Sequence, residues 1–123
     1  LKSLKSFIYI GSCEEYGRLS VPFREVDREV PVSSYGCSKL AVTQLLQSLS
    51  SSVGFPSLII RPSVVYGPGQ SASMFVPSLI NALLQEKEFD MTFGDQTRDF
   101  VFIDDLIEFI VLLCNENIIS PNI

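Results

Sequence analysis

At 123 residues, the chain has the length of one ordinary domain. With 46% hydrophobic and 19% charged residues, its composition excludes a disordered or low-complexity protein, and its net charge of −5 argues against nucleic-acid binding. Histidine is absent, which excludes catalysis through a histidine base and any His-ligated metal site, so we expect no bound metal. No apolar run approaches the roughly 18 residues that span a bilayer, so we expect no membrane association.

The three cysteines are far apart in the sequence and form no CxxC pair. This spacing indicates neither a zinc site nor a disulfide scaffold. It favours a reducing, cytoplasmic setting.

Apolar runs and turn residues predict an alternation of strands and helices. The predicted elements are, in chain order, a buried strand over 7–10, a long surface loop over 13–34, a helix from Ser34 to a stop at Gly54, a buried strand over 58–60, an extended segment over 63–66, a turn over 67–69, a helix over 73–87, short strands over 91–93 and 100–102, a helix capped by Asp104 or Asp105 that runs through Leu113, and a frayed tail over 117–123. This alternation predicts an α/β layered fold, with a parallel strand pair joined by a crossover over residues 7–60.

The first candidate site is Tyr35-Gly36-Cys37-Ser38-Lys39. Residues four apart at the start of a helix lie on one face, so Tyr35 and Lys39 are neighbours. An ammonium near a phenol stabilises the phenolate, and such a phenol can exchange a proton with a substrate alcohol. The alternative is an ordinary helix start with a solvated lysine.

The second candidate site is Ser12-Cys13-Glu14-Glu15-Tyr16-Gly17, directly after the first predicted strand. Ligands of open α/β sheets bind beyond the carboxyl ends of strands, which is where this segment lies. The Ser12 hydroxyl is placed to hydrogen-bond the alcohol that Tyr35 addresses. The alternative is a polar loop with two solvated carboxylates.

These two segments, followed by Arg61 to Gln70 and by Gly94 to Asp105, occur in an order that resembles the extended short-chain dehydrogenase/reductase family. More specifically, they are similar to NAD-dependent sugar-nucleotide epimerases and dehydratases, and the similarity covers nearly the whole chain. The resemblance implies a partial Rossmann-like, doubly wound parallel sheet. Residues 1–66 would be the C-terminal part of the Rossmann-like domain. Residues 67–123 would be a substrate-binding segment and a helix that returns to the core.

The resemblance also assigns roles to individual residues. Tyr35 would be the catalytic acid/base, Lys39 its electrostatic partner that also holds the nicotinamide ribose, and Ser12 the residue that orients the sugar hydroxyl. The reaction implied is hydride transfer between a sugar carbon and NAD or NADP. The segment that would lie along the nicotinamide and the substrate comprises Pro62, Ser63, Val64 and Val65.

Arg98 matches a family arginine that contacts the nucleotide diphosphate, for which a guanidinium has suitable bidentate geometry. The alternative for Arg98 is an ion pair with Asp95 or Asp99. A nucleotide sugar is thus the implied substrate, and the family commonly forms homodimers in the full-length enzyme.

Two departures from the family pattern bear on the reaction. Val64 stands where an asparagine is common, which removes one expected substrate contact. Cys13 and Glu14 stand where dehydratases often carry two acidic residues. Glu14 could abstract a proton, but a thiol with an ordinary pKa near 8.5 is a poor substitute for a carboxylic acid. Dehydration is therefore only half supported, whereas epimerisation or keto-reduction needs only Ser12, Tyr35 and Lys39.

A third departure concerns the cofactor. The family binds its dinucleotide on a glycine-rich strand-to-helix turn, and this sequence contains none. We therefore expect an incomplete NAD or NADP site and no turnover by the isolated chain. The alternatives that stay open are an NAD(P)H-dependent keto-sugar reductase, an enzyme for a non-sugar ketone, and a non-catalytic module that retains the fold.

Overall fold

The computed structural model describes residues 3–115 and consists of two strand–helix–strand units. The first unit contains β1 (Phe7–Ile10), a short 3-10 helix η1 (Cys13–Glu15), α1 (Ser34–Val53) and β2 (Ser57–Ile60). The second contains β3 (Val64–Tyr66), α2 (Phe75–Leu84) and β4 (Phe100–Phe102), and α3 (Ile103–Asn115) follows it.

Each unit pairs its two strands in parallel. Phe7 lies opposite Ser57 and Ile10 opposite Ile60 in the first sheet, and Val64 lies opposite Phe100 in the second. Parallel strands need a crossover connection, and α1 and α2 supply it. The parallel pair predicted over residues 7–60 is therefore present, and β1 and β2 end at the same edge.

The long helix α1 begins and ends where its sequence signals predict. The Ser33 hydroxyl accepts a hydrogen bond from the Gly36 amide at 2.9 Å, which caps the first turn. Gly54 adopts a left-handed conformation, with φ of 66°, and its amide closes the last turn. Leu40 and Leu46 are buried on the face that α1 turns inward.

Several predicted boundaries are wrong. The loop over 13–34 contains η1, because Ser12 and Glu15 form a reciprocal capping box around it. Residues 91–93 form no strand, since they pair with no other described strand. The helix predicted over 73–87 is shorter, because Met74 is extended and Glu86 takes a left-handed conformation that ends it.

The C-terminal helix α3 begins at Ile103, before the cap that was predicted at Asp104 or Asp105. Asp104 and Asp105 therefore lie in its first turn rather than at the cap, where their carboxylates still favour the helix N-terminus. The predicted frayed tail over 117–123 lies outside the described residues.

Candidate active site

Tyr35 and Lys39 lie in the first two turns of α1, as their spacing predicts. The Lys39 Nζ atom is 5.6 Å from the centroid of the Tyr35 ring and 5.4 Å from that of the Tyr9 ring. The Tyr35 side chain is half exposed, so its phenol is accessible to a ligand. The helix thus brings an ammonium beside an accessible phenol.

Lys39 is fixed by the carboxyl end of β1. Its Nζ atom donates a hydrogen bond to the Ile10 carbonyl at 2.9 Å, and the Tyr9 hydroxyl donates to the Lys39 carbonyl at 3.3 Å. Burial, reinforced by the negative charge of Glu15, raises the pKa of Tyr9, so its hydroxyl stays a neutral donor. Because an ammonium has three donors, the bond to Ile10 leaves two for a ligand.

Ser12 lies two residues beyond the end of β1, in a tightly bonded turn. Its Oγ atom accepts a hydrogen bond from the Glu14 amide at 3.2 Å and so caps η1. Its own amide donates to Glu15 Oε1 at 3.0 Å. Ser12 is 9% exposed, so both backbone and side chain are held in place.

Gly36 allows the start of α1 to approach this turn. A Cβ atom on Gly36 would lie 2.6 Å from the Glu14 carbonyl oxygen, which no larger residue permits without a shift of the backbone. The Ser33 hydroxyl spans the same junction, since it accepts from the Gly36 amide and donates to Glu14 Oε2. The segment that carries Tyr35 is therefore packed directly on the segment that carries Ser12.

Cys13 and Glu14, the predicted substrate-binding pair, differ in exposure and in partners. Burial, with the charge of Glu14 adding to it, raises the pKa of the Cys13 thiol, so this thiol is neutral near pH 7. The exposed Glu14 carboxylate accepts a hydrogen bond from Ser33. A thiol with a raised pKa releases its proton less readily, which is the direction expected for a poor proton donor.

The segment over 62–65, predicted to lie along the cofactor and substrate, runs beside η1. The Cys13 amide donates to the Pro62 carbonyl at 3.0 Å. Ser63 Oγ donates to Asp99 Oδ2 at 3.0 Å, and the Val64 amide donates to the Asp99 carbonyl at 3.0 Å. Val65 follows within β3. The structure thus brings Pro62 to the turn that carries Ser12 and bonds Ser63 and Val64 to Asp99.

Arg98 is exposed and makes its contacts within its own loop. Its guanidinium donates to the Thr97 carbonyl at 2.9 Å and to Gln96 Oε1 at 3.2 Å. Within residues 3–115, Arg98 forms no ion pair with Asp95 or Asp99. The structure therefore does not show the ion pair that was the alternative to a contact with the diphosphate. Its contact with a diphosphate stays a prediction.

Sequence reasoning missed a buried ion cluster behind the Ser12 turn. Arg61 Nε lies 2.8 Å from Glu15 Oε2, one terminal nitrogen pairs with Glu29 Oε1, and the other donates to the Tyr16 hydroxyl at 3.0 Å. Burial alone would lower the pKa of Arg61, but the bonds to Tyr16 and Glu15 outweigh it and raise that pKa above its usual value. The sequence signal that could have indicated this cluster is the position of Arg61, a charged residue directly after the strand Ser57–Ile60.

A cleft of about 450 Å³ lies beside the turn that follows β3. The sequence singled out this turn but not the cleft. Its walls combine the turn, the first half of α2 and the end of β4, and they include Tyr66, Pro68, Gln70, Val76, Ile80 and Phe102.

Over residues 3–115, no group of three or more cysteine, aspartate or glutamate side chains is arranged to hold a metal ion. Within the same range, no helix has the length and apolar character needed to cross a membrane.

Residues 2–122 match the NAD dependent epimerase/dehydratase family. The chain belongs to this family. It is 34% identical over 108 residues to an uncharacterized UDP-glucose epimerase, YtcB, of Bacillus subtilis, an alignment that covers 86% of this chain and 34% of the relative. It is also 34% identical over 107 residues to human dTDP-D-glucose 4,6-dehydratase, covering 85% of this chain and 31% of that enzyme.

A solved structure, the UDP-glucuronic acid 4-epimerase of Bacillus cereus in complex with UDP-glucuronic acid and NAD, superposes with a TM-score of 0.80. The identity is 35%, and the match covers 94% of this chain and 38% of that one. The predicted fold class, a partial Rossmann-like α/β sheet, is thereby confirmed. The chain spans about a third of the length of the curated relatives it matches.

Proposed function

We propose that the full-length protein carrying this chain is an NAD(P)-dependent epimerase or dehydratase that acts on a nucleotide sugar by transient hydride transfer at a sugar carbon. One observation carries the proposal: Lys39 is bonded to the carboxyl end of β1 while its ammonium lies 5.6 Å from the half-exposed Tyr35 ring. Family membership supports the nucleotide-sugar chemistry, since the B. cereus relative binds UDP-glucuronic acid and NAD.

In this proposal Tyr35 removes the proton from the sugar hydroxyl and later returns it. It does so as the phenolate, which the Lys39 ammonium stabilises because an opposite charge nearby favours the ionised phenol, and it becomes the neutral phenol when it takes the proton. Ser12 donates a hydrogen bond to the same sugar oxygen and orients it toward Tyr35. The proton therefore moves between the phenol and the sugar while the ammonium keeps its own.

The residues fit the nicotinamide end of a dinucleotide. Lys39 keeps two N–H donors beyond its bond to Ile10, which suits the two hydroxyls of a ribose. When bound, the cofactor would supply the redox chemistry at the sugar carbon. Pro62, Ser63 and Val65 follow β2 at the same edge and would flank the nicotinamide. The sequence contains no glycine-rich strand-to-helix turn for the phosphates, so we propose that the isolated chain does not turn over substrate.

Substrate contacts are assigned to Cys13, Glu14, Val64 and Arg98. Because the raised pKa makes the Cys13 thiol a weak acid and Glu14 is already bonded to Ser33, the proposal favours epimerisation over dehydration. An NAD(P)H-dependent keto-sugar reductase is the second candidate, since it would use the same Ser12, Tyr35 and Lys39. We place residues 1–66 in the Rossmann-like part and 67–123 in the substrate-binding part of a cytoplasmic homodimer.

The proposal is tested with the full-length protein by following nicotinamide absorbance as individual nucleotide sugars are added. An epimerase or dehydratase should give a transient absorbance change without net cofactor consumption, and a keto-sugar reductase should consume NAD(P)H stoichiometrically. Intact cofactor binding with no response to any nucleotide sugar would contradict the sugar-nucleotide assignment and favour a non-sugar substrate or a non-catalytic module.

A further inference from the structure

The buried ion cluster lies directly behind the Ser12 turn and uses every oxygen of one carboxylate. Glu15 is fully buried, with 0% exposure. Its Oε1 atom accepts from the Ser12 amide at 3.0 Å, and its Oε2 atom accepts from Arg61 Nε at 2.8 Å. A buried carboxylate is strongly destabilising unless it is paired and hydrogen-bonded, so a single arrangement of these atoms is favoured.

Arg61 connects three segments through one rigid guanidinium. Its side chain is 10% exposed, and its remaining nitrogens contact Glu29 and the Tyr16 hydroxyl. Since Arg61 directly follows β2, the cluster ties the end of that strand to the turn after β1 and to the surface loop. The planar fork of an arginine allows these contacts at once, which a lysine ammonium on a flexible stem cannot reproduce.

The backbone of the turn is packed against the same carboxylate. A Cβ atom on Gly11 would collide with Glu15 Oε1 and approach the Ile60 carbonyl to 3.3 Å. The Glu15 carboxylate therefore occupies the space that a side chain at position 11 would need. Movement of Glu15 would release both the Ser12 amide and the backbone just before it.

We propose that Glu15 and Arg61 are positioning residues that hold the Ser12 hydroxyl in place for the proton transfer of Tyr35. This inference rests on the proposed function, because it concerns the same active site. Neither residue reaches the reacting atoms; they act through the Ser12 backbone amide. A misplacement of about 1 Å at a reacting centre can cost about a hundredfold in rate, so a partial release should have a measurable effect.

The kinetic test uses the full-length protein and combines Glu15→Gln with Ser12→Ala in a double-mutant cycle. Glu15→Gln keeps the shape of the side chain but removes the charge that pairs with Arg61. We expect kcat to fall about tenfold with KM within about twofold, because the loss falls on the transition state. In the Ser12→Ala background the same change should lower kcat by less than about twofold.

Two comparison variants sharpen the cycle. Arg61→Lys keeps the positive charge but not the fork, so it should reproduce the loss seen with Glu15→Gln. Glu25→Gln makes the same chemical change at an exposed residue of the same loop and should leave kcat unchanged. Equal losses from Glu15→Gln in both backgrounds, or an unchanged kcat, would overturn the positioning role.

Amide hydrogen exchange of the full-length protein provides a readout that needs no turnover. The Ser12 amide should exchange at least about fivefold faster in Glu15→Gln and at the wild-type rate in Glu25→Gln. Unchanged protection of Ser12 in Glu15→Gln would contradict the proposed mechanism of positioning. Absence of any wild-type response to nucleotide sugars would overturn the proposed function itself, whereas a response with additive kinetic losses would overturn only the positioning role.

Discussion

The two strand–helix–strand units share a topology but are held together by different interactions. In the first unit, the fully buried Glu15 and Thr43 accompany apolar core residues, and ion pairs join the loop to the strand ends. In the second unit, α2 has no buried residue, and aromatic contacts such as Tyr66 with Phe102, at 5.4 Å between ring centroids, dominate. The candidate catalytic residues belong to the first unit, which contains the buried ion cluster.

The first unit is therefore the more rigid part of the molecule. Hydrogen-bonded buried charges tolerate few alternative arrangements, whereas half-buried aromatic contacts such as that of Tyr66 with Phe102 can shift with less loss. We therefore expect substitutions around Ser12 and Tyr35 to affect folding more than chemically matched substitutions in the second unit.

The largest effect on the free energy of unfolding is expected when Arg61 is replaced. Arg61→Ala leaves Glu15 buried without its charge partner, so it should lower the free energy of unfolding by about 3 kcal/mol. Arg98→Ala, its match in the second unit, removes only contacts within an exposed loop and should stay within about 0.5 kcal/mol. Denaturant unfolding of the full-length protein measures both. Equal losses in the free energy of unfolding would contradict the proposed difference between the two units.

A smaller effect on the free energy of unfolding is expected when Gly36, which lies close to the backbone of a neighbouring segment, gains a methyl group. Gly36→Ala places a methyl group 2.6 Å from the Glu14 carbonyl oxygen and should cost about 2 kcal/mol, because backbone must move. Gly67→Ala, its counterpart in the second unit, meets the Cβ and Cγ2 atoms of Ile103, a stiff β-branched side chain, so it should cost a similar amount. The same unfolding measurement compares the two variants. A loss below about 0.5 kcal/mol in Gly36→Ala would contradict the close approach of α1 to the Ser12 turn.

A third pair of variants lies in the first turn of α1. Ser33→Ala removes the hydroxyl that caps the helix and bonds Glu14, so it should lower the free energy of unfolding by about 1 kcal/mol. Ser34→Ala changes the next residue, which is exposed, and should have no measurable effect. Thermal unfolding of the pair decides whether the cap contributes.

The smallest expected effect concerns thiol reactivity. Because its pKa is raised, Cys13 has a smaller thiolate fraction at any given pH than a thiol with an ordinary pKa, and its alkylation rate should keep rising at pH values where an ordinary thiol has levelled off. Cys37 and Cys114 are exposed and should be labelled first near pH 7.5. Mass-spectrometric labelling against pH gives the three rates. Faster alkylation of Cys13 than of Cys37 would contradict the burial of its thiol.

The sequence predicted features that depend on local chemistry. The apolar runs predicted the strands near Phe7 and Leu58. Gly54 predicted the end of α1, and the spacing of Tyr35 and Lys39 predicted that they share a face of that helix. These features follow from side-chain periodicity and backbone preference within a few residues. The family resemblance supplied the fold class, which periodicity alone left at α/β.

Features that depend on distant partners were missed. The pairing of Arg61 with Glu15 and Glu29 joins residues 46 and 32 positions apart, and no local pattern reports it. The strand predicted over 91–93 is absent because a strand needs a hydrogen-bonding neighbour, and composition does not supply one. The short helix η1 is the exception, because its capping box of Ser12 and Glu15 is a local signal that was missed in a segment whose charges predicted a loop.

The proton-transfer role of Tyr35 is measured by the rate of nicotinamide absorbance change in Tyr35→Phe of the full-length protein, with Tyr9→Phe as the matched control. The proposal predicts that Tyr35→Phe lowers turnover of a nucleotide sugar at least about a hundredfold while cofactor binding is retained, because the phenol that exchanges the proton is gone. Tyr9→Phe removes only the bond to the Lys39 carbonyl and should lose less than about tenfold. Near-wild-type turnover in Tyr35→Phe would contradict the account.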